Sequence, residues 1–147
     1  MFDNSNNSEQ HIEALEINEL ALLDLLRRLK ITAVTVNYEG SGDRGKVTGI
    51  QMTPYGMASE PLRQPLMMQY VVTMCDEDGH ARRELRENSV TLERALEDFT
   101  LSWVNLEHPG WQANKGSGAV TIDVMTGRTQ LAHWHCYVQI SHFGNFL

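Results

Sequence analysis

The chain has 147 residues, 41% hydrophobic and 21% charged, usage that fits one globular domain and argues against a disordered, collagen-like or coiled-coil chain. Its net charge of −7 repels phosphate backbones and disfavours direct nucleic-acid binding. The longest apolar stretches, Leu20 to Leu26 and Val71 to Cys75, are interrupted or too short for the ~20 residues that span a bilayer.

Residues 1–8 read as a flexible leader rich in Asn and Ser, without the basic region and apolar run of a signal peptide, and residues 9–147 as a single domain in the cytoplasm. Ser8 is placed to cap a helix running to Leu29. Ile12, Leu15, Leu22, Leu23, Leu26 and Leu29 form its core side, with Arg27, Arg28 and Lys30 in the last turn, where cations complement the helix dipole. The β-branched run Ile31 to Tyr38 alternates, with Val34, Val36 and Tyr38 on one face and Thr35 and Asn37 on the other. The turn residues Glu39 to Gly45 then join it as a hairpin to a second alternating run, Lys46 to Met52.

Thr53 to Pro65 holds three of the four prolines and must be irregular. Leu66 to Cys75 reads as a third strand ending in the acidic turn Asp76 to Gly79, with a helix through its methionines as the alternative, and a second long helix follows, clearest from Thr91 to Glu107. Its core positions are Leu92, Ala95, Leu96, Phe99, Trp103 and Leu106, and His108-Pro109-Gly110 ends it. A final hairpin joins Ala119 to Met125 with Gln130 to Ser141. The alternation puts Trp134, Cys136, Val138 and Ile140 on the core face of that last strand, and His133, His135, Tyr137 and Gln139 on the outer one. The fold implied is α+β, an antiparallel or mixed sheet of four to five strands with two long helices on one face. Cys75 and Cys136 are expected to be reduced and buried.

Three clusters carry candidate chemistry. His133 and His135 share a strand face, and Asp123 on the partner strand completes two histidines and a carboxylate, a recipe for zinc or non-haem iron. The competing reading is a solvated sheet face, where His and Tyr137 are at home. The glycine loop around Gly40, Gly42 and Gly45 precedes a strand and lacks a P-loop lysine, and its Glu39 and Asp43, which could hold a cation, lack the oxygen-rich register of a calcium loop, so it reads as a hairpin turn. Trp111, Asn114, Gly116 and Gly118 either pack the helix end, with Trp111 as a plug, or form a recognition edge. Cys136 has no activating neighbour, because His135 beside it points to the opposite face.

Two segments, Tyr38-Glu-Gly-Ser-Gly-Asp-Arg-Gly-Lys-Val47 and Gly110-Trp-Gln-Ala-Asn-Lys-Gly-Ser-Gly118, resemble a family of small proteins carried by bacterial plasmids, phages and related mobile elements. The resemblance spans about residues 17–52 and 91–140 and leaves the middle divergent. It implies a bacterial accessory gene and no activity.

The expected function is a non-enzymatic module that binds another protein, with Trp111, Asn114, Asp43 and Tyr137 as candidate contacts and no cofactor. One alternative is a metal-dependent enzyme or metal-binding protein built on His133, His135 and Asp123. A second is an acidic decoy for a nucleic-acid-binding protein, using Glu13, Glu16, Glu19 and Asp24. The last strand, if an edge, could also pair two copies into a homodimer.

Overall fold

The computed structural model describes residues 2–40, 42–55 and 59–134. Helix α1 (Phe2–Arg28) leads into the hairpin of β1 (Ala33–Gly40) and β2 (Gly45–Thr53), then the short α2 (Ser59–Leu62). A second hairpin, β3 (Pro65–Cys75) and β4 (Ala81–Thr91), precedes α3 (Leu92–Glu107). A 3-10 turn, Trp111–Asn114, then enters β5 (Ser117–Asp123) and β6 (Arg128–Trp134). The fold is α+β. Its antiparallel sheet runs β2-β1-β5-β6, and β3-β4 stand apart as a two-stranded ribbon.

The alternation in β1 does what period two requires: Val34, Val36 and Tyr38 are buried. Val34 faces Met52 and Ile122 on its two neighbours, and Val36 faces Ile50 and Val120. Leu22 and Leu26 of α1 and Leu92, Leu96 and Phe99 of α3 close over that face to make the main core. Helix α1 stops because Lys30 takes a left-handed conformation (φ 62°) and the Ile31 amide turns back onto the Leu26 carbonyl, 2.9 Å away. Helix α3 starts where the Thr91 hydroxyl accepts from the Arg94 amide, at 3.2 Å, and ends where the His108 amide donates to Val104. No helix among the described residues is long and apolar enough to cross a membrane.

The structure corrects several expectations. Helix α1 already runs from Phe2, ahead of the cap expected at Ser8, and Ile12 is 44% exposed. The segment after Gly79 is strand β4 and not the start of a helix. Its run Arg82, Arg83, Glu84, Arg86, Glu87 shows no apolar alternation, because a ribbon left largely in water needs no buried face there. On α3 the buried stripe ends on Thr100 and Val104, with Trp103 only partly buried. Cys75 is exposed at the end of β3, and Cys136 lies outside the described residues. On β6 the faces are reversed: Thr129, Leu131 and His133 are half-buried, whereas Trp134 is 51% exposed. The cause is register, since His133 pairs with Gly118 and Leu131 with Val120, whose side lies on the core.

One buried polar side chain ties the ribbon to the rest. Asn18 of α1, 6% exposed, donates to the Gln69 carbonyl at 2.9 Å and accepts from the Gln69 amide at 2.7 Å, as a neighbouring strand would. Asn18→Ala leaves both backbone groups without partners and is expected to cost about 2 kcal/mol. Urea denaturation reads that directly; a change below about 0.5 kcal/mol would show that water replaces the amide freely.

Candidate functional site

The two segments that carry the family resemblance meet in space. The Gly40 amide donates to the Gly116 carbonyl at 2.8 Å, and the Gly42 amide to the Gln112 carbonyl at 3.1 Å, stitching the β1–β2 loop onto the 3-10 turn. Trp111, 1% exposed, fills the space between them, and its indole N–H donates to Asn105 Oδ1 at 2.8 Å. A side chain at Gly45 would collide with the indole ring, and one at Gly40 would lie 2.7 Å from the Gln112 Cα. Tyr38 meets the indole edge-on, with centroids 5.1 Å apart.

His133 sits in the same cluster. Its Nδ1 is 2.7 Å from the Tyr38 hydroxyl, and its ring stacks on His108 with centroids 4.2 Å apart. Burial pushes the Tyr38 phenol well above its ordinary pKa, so Tyr38 stays neutral. A Cβ on Gly116 would lie 2.7 Å from the His133 ring, and one on Gly118 would collide with the Tyr38 hydroxyl. On each of these sides the Tyr38–His133 pair touches protein, so its role is to lock β6, β1 and the end of α3 together.

Asp123 is exposed, faces Arg128 at the far end of the same hairpin and lies on the opposite sheet face from His133, roughly 17 Å away along the strand. Its Oδ1 accepts from the Met125 and Thr126 amides and so organises the turn. The structure therefore does not bring Asp123 and His133 together, and His135 and Tyr137 lie outside the described residues. Asp43 is exposed in the β1–β2 loop, and Asn114 closes the 3-10 turn. Among the described residues, Asp76, Asp78 and His80 place ligand atoms within 4.8 Å of one another, all exposed. Asp76 Oδ1 accepts from the Asp78 and His80 amides there, the ordinary work of an Asx turn. The acidic stripe of α1 is not one free surface: Asp24 pairs with Arg28, and Glu19 accepts from the Thr129 hydroxyl at 2.6 Å.

The depressions among the described residues include two of several hundred Å³. The larger, about 810 Å³, lies between the ribbon and α3 and is lined by Tyr70, Arg86, Arg94 and Asp98 over Val72 and Val90. Arg86, Arg94 and Asp98 of its lining are engaged in ion pairs, while Glu87 has none among the described residues. Arg94 pairs with Asp98 at 3.1 Å, the Tyr70 hydroxyl donates to Asp98 at 2.8 Å, and Arg86 pairs with Glu84 at 2.7 Å. Burial, and then the bond to Asp98, raises the Tyr70 pKa strongly.

The smaller, about 420 Å³, is bordered by Val47, Thr48, Gly49 and Ile50 of β2 on one side and by Glu93 and Glu97 of α3 on the other, with Leu62 and Arg63 at one end. Side chains alternate along a strand, so four consecutive residues on one groove mean that the strand's edge, with its backbone, forms the wall. Strand β2 is an edge of the sheet. Glu93 and Glu97 have no ion-pair or hydrogen-bond partner among the described residues. Burial, and then the charge of Glu93, raises the Glu97 pKa above the usual carboxylate value. The sequence signal for this wall is two like charges four residues apart on the second long helix, beside the stronger apolar pattern of Leu92, Ala95 and Leu96.

A small α+β domain results, with a plugged hairpin that presents its outer edge beside an acidic helix face. The chain belongs to the family of unknown function DUF6878, whose pattern matches residues 14–146. No curated protein matches it, and no solved structure does.

Proposed function

We propose that this protein is a non-enzymatic protein-binding module, and that its working surface is the groove between the edge of β2 and α3. The observation that carries this reading is the combination, around one groove, of an edge strand and two carboxylates that have no partner among the described residues. Edge strands are hazards unless something is meant to pair with them, and Lys46 is the only charged residue on β2. The residues shared by the two family segments support the reading indirectly. Trp111, Gly40 and Gly45 anchor β2's hairpin from the far side, so the edge is a rigid template. The bacterial mobile-element setting implied by the resemblance belongs to the same proposal, because a small accessory protein that acts on a host component can work by contact alone.

A random peptide display library selected on the immobilised protein tests this. Selected peptides are expected to slow hydrogen exchange at the backbone amides of Val47 to Thr53. Failure to select any peptide, or protection confined to the ribbon cleft at Tyr70 and Arg86, would remove the groove from consideration.

A further inference from the structure

Resting on that reading, we infer that the groove takes an extended, basic segment of another protein, which adds as a strand to β2 and sets a Lys or Arg against Glu93 and Glu97.

Geometry selects an extended occupant. The wall offered by β2 is a strand edge, and what an edge reads is main-chain N–H and C=O spaced every two residues, the mode by which peptides extend sheets. Val47, Ile50 and Leu62 give the groove an apolar component for alternate side chains of the added strand. The register shift between Asn37 and Tyr38 leaves Thr48 as an extra residue in β2, and from Gly49 to Thr53 the strand is regular again.

Charge selects a basic occupant. Glu93 and Glu97 stand four residues apart on one face of α3, an arrangement that weakens a helix by like-charge repulsion. The helix dipole explains an acid at Glu93, in the first turn. It does not explain Glu97, which is half-buried one turn further on, with its charge disfavoured by desolvation and by Glu93. Arg63 lines the groove but pairs with neither, so the lining keeps an excess of negative charge. A cation entering from outside relieves the repulsion and makes a partly desolvated pair with Glu97. A second copy of the chain fits poorly, because two-fold pairing of β2 with β2 would bring two such acidic walls together.

The probe is a short Thr/Val peptide carrying two lysines, compared with its counterpart in which glutamates replace the lysines, by fluorescence anisotropy on the full chain. The lysine peptide is expected to bind, to weaken as salt rises, and to lose about tenfold in affinity for the double variant Glu93→Gln, Glu97→Gln. The glutamate peptide is expected not to bind. Circular dichroism of the double variant guards against misfolding, since the relief of repulsion is offset by the loss of the Glu93 charge from the first turn. Equal binding of both peptides, unaffected by the double substitution, would overturn the basic partner and leave the groove standing. No binding by either would also overturn it, and the display selection then decides on the groove separately.

Discussion

Trp111→Ala is expected to destabilise the protein by about 4 kcal/mol, near the middle of what removing a buried Trp side chain costs. The indole is 1% exposed and touches elements far apart in sequence: Gly40 and Gly45 at the ends of the β1–β2 loop, Tyr38 edge-on, and Asn105 through its N–H. The glycines cannot move in to refill the space, because Gly40 is bonded to Gly116 and β1 is paired on both sides. The cavity therefore persists and Asn105 Oδ1 loses its donor. For a chain of this size the loss corresponds to a midpoint roughly 12 °C lower in thermal denaturation. Trp111→Phe, which keeps most of the ring and drops the indole donor, should recover more than half of it. A loss under about 1 kcal/mol for the alanine variant would mean that the hairpin does not rest on this ring.

That ring also marks how far the sequence could be read. For Trp111 the residue types allow either a plug in a glycine-rich junction or a recognition contact, and the buried indole takes the first. The first hairpin, its two faces and the long helices followed from periodicity, since Val34, Val36 and Tyr38 alternate over a buried face and Leu92, Leu96 and Phe99 recur at helical spacing. Strand β4 did not, because its partners lie on one neighbour only and its side chains meet water, so nothing selects an apolar pattern. The inward turn of His133 was equally hidden. It depends on His133 pairing with Gly118 and on the space that Gly116 leaves for the ring, a tertiary fact that alternation within β6 cannot carry. With its ring stacked on His108 and bonded to Tyr38, His133 is engaged in packing.

The second large effect is expected at Gly118. Gly118→Ala places a methyl group against the Ala132 carbonyl oxygen of β6 and the Tyr38 hydroxyl, both closer than real Cβ contacts allow. Neither neighbour yields easily. Ala132 is held in the β5–β6 ladder, where Ala119 is its partner, and the Tyr38 hydroxyl is held 2.7 Å from His133 Nδ1. The strands must separate or the tyrosine must leave, and the cost is expected to be about 3 kcal/mol, the upper end for overpacking. Gly49→Ala is the internal comparison, because a Cβ there meets nothing within 4 Å, and it should shift stability by less than about 0.5 kcal/mol. Placing Gly118→Ala in a Tyr38→Phe background separates the two contacts: the hydroxyl is gone and the carbonyl remains, so part of the loss should disappear. If Gly118→Ala and Gly49→Ala are equally mild, β5 and β6 are not packed as closely as this geometry requires. If only Gly118→Ala is severe, the pattern Gly-Ser-Gly118 is explained by the approach of two backbones and a phenol, with no ligand needed there.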